Sequence, residues 1–359
     1  MIDDTLTMLI DGAAVTTPYS IDIINPATGR VFATAPDASR ADLDRAVAAA
    51  KAAFPLWTAH SFDQRRAVVH CIAQRLRERA ESIAAILTAE QGKPLRDALG
   101  EVNRAADHIE ALTLLDISNK MLREDARERV EIRYRPLGVV GAITPWNVPV
   151  MLAMVKIAQA LYTGNSIVLK PSPFTPLSTL AIGEAIADIV PPGTVNIVSG
   201  GNDLGAWITS HPDIAKISFT GSVATGRRVL ESAAQTFKRV TLELGGNDPA
   251  IVLPDADIEA TADGIARSAF ANCGQVCMAI KRVYAHADIH DALVEALVKR
   301  ARAIRVGPGT HPETQMGPIQ NRMQYEKVVA LIRGLSPDNI VTGGTIPDGE
   351  GYFITPTIV

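Results

Sequence analysis

Cysteine is scarce in this chain: three among 359 residues, an odd number and not spaced as a disulfide framework. That argues against a small cross-linked secreted scaffold and fits a reducing cytoplasm best. A surplus of one charge is also missing. The formal net charge is -4, which gives no electrostatic reason to expect nucleic acid or an anionic membrane as a partner. No apolar run approaches the roughly 20 residues that a membrane-spanning helix needs. The start carries Asp3 and Asp4 and lacks a basic n-region, so no secretory signal is expected there. What is present is an ordinary globular mixture, 47% apolar and 21% charged, long enough for two or three domains.

The first third reads mainly as helices. Ser39, with Asp42 three residues later, opens SRADLDRAVAAAKAAF as a capped amphipathic helix. A second begins near Ser61 and runs until QGKP stops it at Gly92 and Pro94, and a third covers much of 95–116. Cys71, within VVHCIAQRL, reads as helix packing. Residues 122–135 alternate charged and apolar side chains towards their end, the pattern of an exposed ribbon. From Pro136 the style changes. GVVGAIT, SIVLK, TVNIVS, KISFT and VTLEL are short β-branched runs separated by helical segments, which predicts a parallel sheet with helices on both faces. Such an open doubly wound α/β fold binds ligands beyond the carboxyl ends of its strands. After Gly245 a second α/β region begins, with PAIVL and RVYAH as strands and 288–304 as a helix.

The residues that suggest chemistry lie at the ends of those strands. TPWNVP (Thr144 to Pro149), LKPSP (Leu169 to Pro173), FTGSVATG (Phe219 to Gly226) and LELGGN (Leu242 to Asn247) each close one strand. FANCGQVCMA (Phe270 to Ala279) then holds Cys273 and Cys277. Singly each motif is weak. In this order, with 277 − 243 = 34 positions between Glu243 and Cys277, they resemble the aldehyde dehydrogenase superfamily, from Asn25 in NPATG to the last residue. The resemblance implies oxidation of an aldehyde to a carboxylic acid with NAD or NADP, through a cysteine thiohemiacetal and thioester.

Within that resemblance Cys277 is the nucleophile. A free thiol is only a few per cent thiolate at neutral pH, and a helix opening at GQVC would offer amides and a positive dipole end. The alternative is a small buried hydrophobe. Cys273, four positions earlier, would share a helix face with Cys277 and reads as structural, since no histidine or third thiol stands near to complete a metal site. Glu243, otherwise a solvated surface acid, is implied as the base that activates water. Asn147, otherwise a turn former, is implied to share an oxyanion hole with the Cys277 amide.

A G-x-G-x-x-G fingerprint is absent after the first strand. Instead Gly221, Ser222 and Gly226 lie at a predicted helix start suited to pyrophosphate. The resemblance adds Thr144, Trp146, Ser172 and Phe219 to this cofactor set, with Lys170 at the adenine ribose, Gly205 over the adenosine and Leu244 near the nicotinamide. It divides the chain into a Rossmann-like cofactor domain at 1–117 and 137–244, an oligomerisation ribbon at 118–136, and a catalytic domain at 245–359. A homo-oligomer, dimer or tetramer, and a small-molecule aldehyde are the implied partners, with no metal.

Two departures matter. Pro173 stands where NAD-preferring members often carry a ribose-binding glutamate, which leaves NADP open. Family members also continue beyond GYFITPTIV through an E-x-F-G-P segment and an oligomerisation strand, so the resemblance implies a truncated chain of poor turnover. Rivals are a CoA-acylating dehydrogenase, against which Glu243 argues, a cysteine hydrolase or acyltransferase, and a non-catalytic binding protein on the same fold. For the hydrolase or acyltransferase, none of the seven histidines falls in a partner motif. The aldehyde depends on pocket side chains such as Trp146, Met151 and Met278, which do not name it.

Overall fold

The computed structural model describes residues 6–359, so the acidic start at Asp3 and Asp4 lies outside the described residues. The chain opens on strands rather than helices. β1 (Met8–Ile10) and β2 (Ala13–Val15) form one hairpin, β3 (Ser20–Asn25) and β4 (Arg30–Pro36) another. The helical reading of the first third missed both. The signal of the first is local: Asp11 and Gly12 take φ of 57° and 76°, the left-handed pair that a two-residue hairpin turn demands.

Four helices follow. α1 (Arg40–Thr58) starts as expected, with Ser39 and Asp42 forming a reciprocal capping box. The long helix expected from Ser61 is two, α2 (Phe62–Glu78) and α3 (Ala80–Gln91), joined at Arg79. Buried Leu76, Ala80, Ile83, Ala84 and Leu87 keep helical spacing across the junction, and no Gly or Pro marks it. Periodicity alone therefore could not reveal the break. α3 ends at Gly92, whose φ of 94° is a left-handed cap. α4 (Leu95–Leu112) then leads to the ribbon, β5 (Lys120–Glu124) paired antiparallel with β6 (Arg129–Ile132).

The alternating region is β7 (Val139–Ile143), α5 (Pro149–Tyr162), β8 (Ser166–Lys170), α6 (Leu177–Ile186), β9 (Val195–Ile197), α7 (Asn202–Ser210), β10 (Ile214–Thr220), α8 (Val223–Ala234) and β11 (Arg239–Glu243). The sheet order is β11-β10-β7-β8-β9-β1-β2. The five strands from β11 to β9 are parallel, as expected. β1 and β2 add an antiparallel edge, so the sheet is mixed. Every residue of β8 is buried, as a parallel strand covered on both faces should be. The strand order reverses between β7 and β10, which opens a crevice at their carboxyl ends. One apolar core joins this sheet to the helices from α1 onward, and the Trp57 indole within it donates to the Leu161 carbonyl at 3.0 Å.

Beyond β11 come β12 (Asp248–Val252), α9 (Ile258–Phe270), β13 (Ile280–Ala285), α10 (His290–Ala303) and α11 (Arg322–Arg333). β12 and β13 pair in parallel, and Val252, Ala262, Ile265, Leu293 and Leu297 form a second core beneath them. Among the described residues no helix is long and apolar enough to cross a membrane.

Candidate active site

The segment between α9 and β13 carries both cysteines, and it is not the helix start that GQVC suggested. Residues Ala271–Gly274 make one 3-10 turn in which Asn272, Cys273 and Gly274 take φ of 50°, 60° and 70°. Cys277 follows in a tight turn before β13, with its side chain exposed. The reason is the run of left-handed residues, which ends the helix at Phe270 and re-aims the chain. Cys273 and Cys277 therefore share no helix face. The Cys273 thiol points inward, donating to the carbonyls of Gly317 at 2.9 Å and Pro318 at 3.3 Å, and burial pushes it up to about 12. It is a protonated, structural group at neutral pH. Cys71 is corrected as well: it lies on the exposed face of α2, not in packing.

Asn147 sits in the turn between β7 and α5. Its amide donates to the Gln275 carbonyl at 2.7 Å, two residues before Cys277. Its own carbonyl accepts from Asn272 Nδ2 at 2.8 Å and from Lys93 Nζ at 3.2 Å. Glu243 ends β11 with an exposed side chain that takes no hydrogen bond or ion pair among the described residues. The chain leaving β11 passes against the Cys277 loop, since a Cβ built on Gly246 would lie 2.7 Å from the Cys277 carbonyl oxygen. A side chain there would push the two segments apart. Beneath this sheet end Lys156 is buried with its Nζ 2.9 Å from Ser218 Oγ. Burial lowers its pKa to about 8, and the charge of Glu243 works the other way.

The remaining candidates line the carboxyl ends of the parallel strands, where register sets Ile143 beside both Lys170 and Phe219, and Thr220 beside Glu243. Thr144 and Thr220 each hold a buried hydroxyl with no partner among the described residues, so the strand ends carry polar atoms that a bound polar group could satisfy. Trp146 is half-buried, and Ser172 is buried with its hydroxyl 3.3 Å from the Phe174 amide. Lys170 is buried with Nζ 3.1 Å from the Pro171 carbonyl, and burial lowers it to about 8. Ser222 caps α8 through the Thr225 amide at 3.2 Å, and residues 222–225 of that helix start are exposed. Phe219 lies under Gly221, where a Cβ would come within 2.6 Å of its ring. Leu244 lies across Gly226 in the same way, at 2.7 Å. Gly205, on α7, faces open space. Glycines and an open helix start beside orphaned hydroxyls suit a pyrophosphate and its ribose.

Reading motifs one by one missed the buried and half-buried set behind these residues. Gln91 and Lys93 entered only as a helix stop, and Glu101, Asn272, Gln275 and Gln320 were not singled out. The signal was a cluster of amide side chains at 272, 275, 320 and 321, but its pairing with the QGKP corner spans more than 180 positions.

Comparison with known proteins agrees with this geometry. The aldehyde dehydrogenase family model matches residues 14–359. An aldehyde dehydrogenase of a Fusarium species is 40% identical over 94% of this chain and 71% of its own length. Lactaldehyde dehydrogenase from Escherichia coli superposes with a TM-score of 0.94 at 36% identity, covering 98% of this chain and 76% of that one. PnpE in complex with nicotinamide adenine dinucleotide gives 0.94 at 37% identity, covering 99% and 75%. With the family model spanning residues 14–359 and a relative 40% identical over most of both chains, this chain belongs to the aldehyde dehydrogenase family.

Proposed function

We propose that Cys277 is the nucleophile of an NAD(P)-dependent aldehyde oxidation, with Asn147 and Glu243 serving its two halves. The observation that carries this reading is the clasp between the Asn147 amide and the Gln275 carbonyl at 2.7 Å, which ties the oxyanion donor to the loop of the thiol. A primary amide has two hydrogens, so one remains for an oxygen bound beside Cys277. Thiolate addition to the aldehyde carbon places negative charge on the former carbonyl oxygen, and Asn147 Nδ2 with the Cys277 N–H stabilises it there. When bound, the nicotinamide ring supplies an acceptor for the carbon-bound hydrogen and its electron pair. Cys277 is then acylated. Glu243, exposed and without a side-chain partner among the described residues, takes the proton of a water whose oxygen adds to the thioester carbon, and the Cys277 thiolate leaves as the acid is released.

Thr144, Trp146, Lys170, Ser172, Gly205, Phe219, Gly221, Ser222, Gly226 and Leu244 are proposed to hold the cofactor. No acid stands at Pro173 to repel a 2′-phosphate, so NADP is expected to bind as well as NAD. This assigns 1–117 and 137–244 to cofactor binding and 245–359 to catalysis, supported by the separate core under β12 and β13. The ribbon 118–136 supports a homo-oligomer. Met121, Leu122, Val130, Ile132 and Tyr134 are all exposed on it, and an isolated two-stranded ribbon is marginal in water. Three free cysteines suit a reducing cytoplasm.

Pre-steady-state kinetics separates the halves. Glu243→Gln is expected to release one equivalent of reduced cofactor and then stall, whereas Asn147→Ala slows that burst about 100–1,000-fold. Unchanged steady-state turnover in Glu243→Gln would refute the base role.

A further inference from the structure

The Asn147 turn and the Cys277 loop belong to segments far apart in sequence, and neither holds itself in place. α5 begins two residues after Asn147, at Pro149, and its cap residue Val148 offers no side-chain hydrogen bond. Glu101 of α4 supplies one, its Oε1 accepting from the Val150 amide at 3.0 Å and the Met151 amide at 3.2 Å. Its other oxygen pairs with Lys93 Nζ, and both side chains of this ion pair are almost wholly buried, at 2% and 5% exposure. Lys93 in turn donates to the Asn147 carbonyl. One buried pair thus fixes the helix start and the turn before it.

The second clamp comes from Asn272. Its left-handed backbone is one that asparagine tolerates and most residues do not. Its side chain donates to the Asn147 carbonyl at 2.8 Å and accepts from Gln91 Nε2 at 3.0 Å. Its backbone carbonyl accepts from Gln275 Nε2 at 2.8 Å, while Gln275 Oε1 accepts from the Gln320 amide at 2.9 Å. The Asn147 residue is therefore held at both ends, by its carbonyl on Asn272 and Lys93 and by its side chain on Gln275.

We propose that Lys93 and Asn272, braced by Glu101 and Gln91, are positioning residues that hold Asn147 in register with Cys277. They act through Asn147 and touch no reacting atom. This rests on the reading of Asn147 as oxyanion donor and Cys277 as nucleophile. Small displacements of a reacting group cost up to about 100-fold, so a clamp that holds the donor acts on the rate rather than on substrate affinity.

A double-mutant cycle tests this. Asn272→Gly keeps the left-handed backbone and removes the donor to Asn147. It is expected to slow the burst of reduced cofactor by about 10- to 100-fold with aldehyde KM changed less than twofold. In an Asn147→Ala background, where the backbone carbonyl remains but the amide is gone, the same substitution should cost little more. Equal, additive losses in both backgrounds would overturn the proposal and mark Asn272 as merely structural. If Asn147→Ala alone leaves the burst unchanged, the oxyanion reading itself fails, which is a separate outcome. Hydrogen exchange gives a readout that needs no turnover. Asn272→Gly, and separately Gln91→Leu, should raise exchange in peptides covering 145–149 and 271–279 while the β8 peptide stays protected. No rise in those two peptides would also overturn the clamp.

Discussion

The two ends of the loop between α9 and β13 meet opposite surroundings. At one end Cys273 turns inward onto the carbonyls of Gly317 and Pro318, and burial holds it protonated. Four residues later Cys277 stands exposed in a turn, against the backbone leaving β11 and two residues beyond the Gln275 carbonyl that accepts from the Asn147 amide. The same residue type is an inward-facing anchor in one place and an exposed thiol, our proposed nucleophile, in the other. Spacing in the sequence does not separate these roles; the backbone reversal at Asn272 does, because it sends successive side chains to different sides of the loop.

The largest expected effect breaks that contrast directly. A thiol pushed up to about 12 holds on the order of one thiolate in 100,000 at pH 7, since each unit above ambient pH costs a factor of ten. Iodoacetamide at pH 7 should therefore modify Cys277, and exposed Cys71, while Cys273 stays unmodified until the chain unfolds. Cys277→Ala should abolish aldehyde oxidation and Cys273→Ala should keep most of it. The opposite pattern, by peptide mapping and assay, would reverse the two assignments.

A second effect extends the contrast from thiols to carboxyls. Glu243 is exposed, whereas Glu90 is wholly buried, and burial raises Glu90 from 4.5 to about 7 although it accepts from the Leu177 and Ser178 amides at 2.7 and 2.9 Å. A carboxyl raised on folding contributes most stability below its unfolded value and loses it as pH climbs to the folded value. From the printed values 7 − 4.5 = 2.5 units, so this loss is on the order of 3 kcal/mol at most across that window. Glu90→Gln should flatten this part of the stability curve. Denaturant melts at pH 5 and pH 7.5 check it, and parallel curves for the two proteins would show that Glu90 does not titrate there.

The smallest effect concerns Lys170, buried at the end of β8 and lowered to about 8. Below that value it is charged and, as proposed for the cofactor site, would attract a 2′-phosphate; above it that attraction would fade. NADP affinity should then fall up to about tenfold between pH 7 and pH 9 while NAD affinity holds steady, because one charge is lost over that range. Titration calorimetry with both dinucleotides reads this. Equal pH dependence for the two would remove Lys170 from the phosphate.

Much of the alternating region was legible because each strand is a short β-branched run and each helix start has a turn before it. SIVLK, KISFT and VTLEL fall where β8, β10 and β11 lie. The antiparallel edge was not inferred, although its Asp-Gly turn was in view, because three-residue strands give too little pattern to weigh. The bend at Arg79 left no trace in periodicity or turn residues.

By itself the sequence determined the strand-end motifs and the capping of α1, since each depends on neighbours within a few positions. Only the tertiary structure decided which thiol faces water, that GQVC opens no helix, and that QGKP reaches the Asn147 turn. Those outcomes depend on burial and on hydrogen bonds between Gln91 and Asn272, or Lys93 and Asn147, separated by 181 and 54 positions. Such pairings exist only once the chain has folded, because local propensity carries no record of which distant donor will meet a given carbonyl.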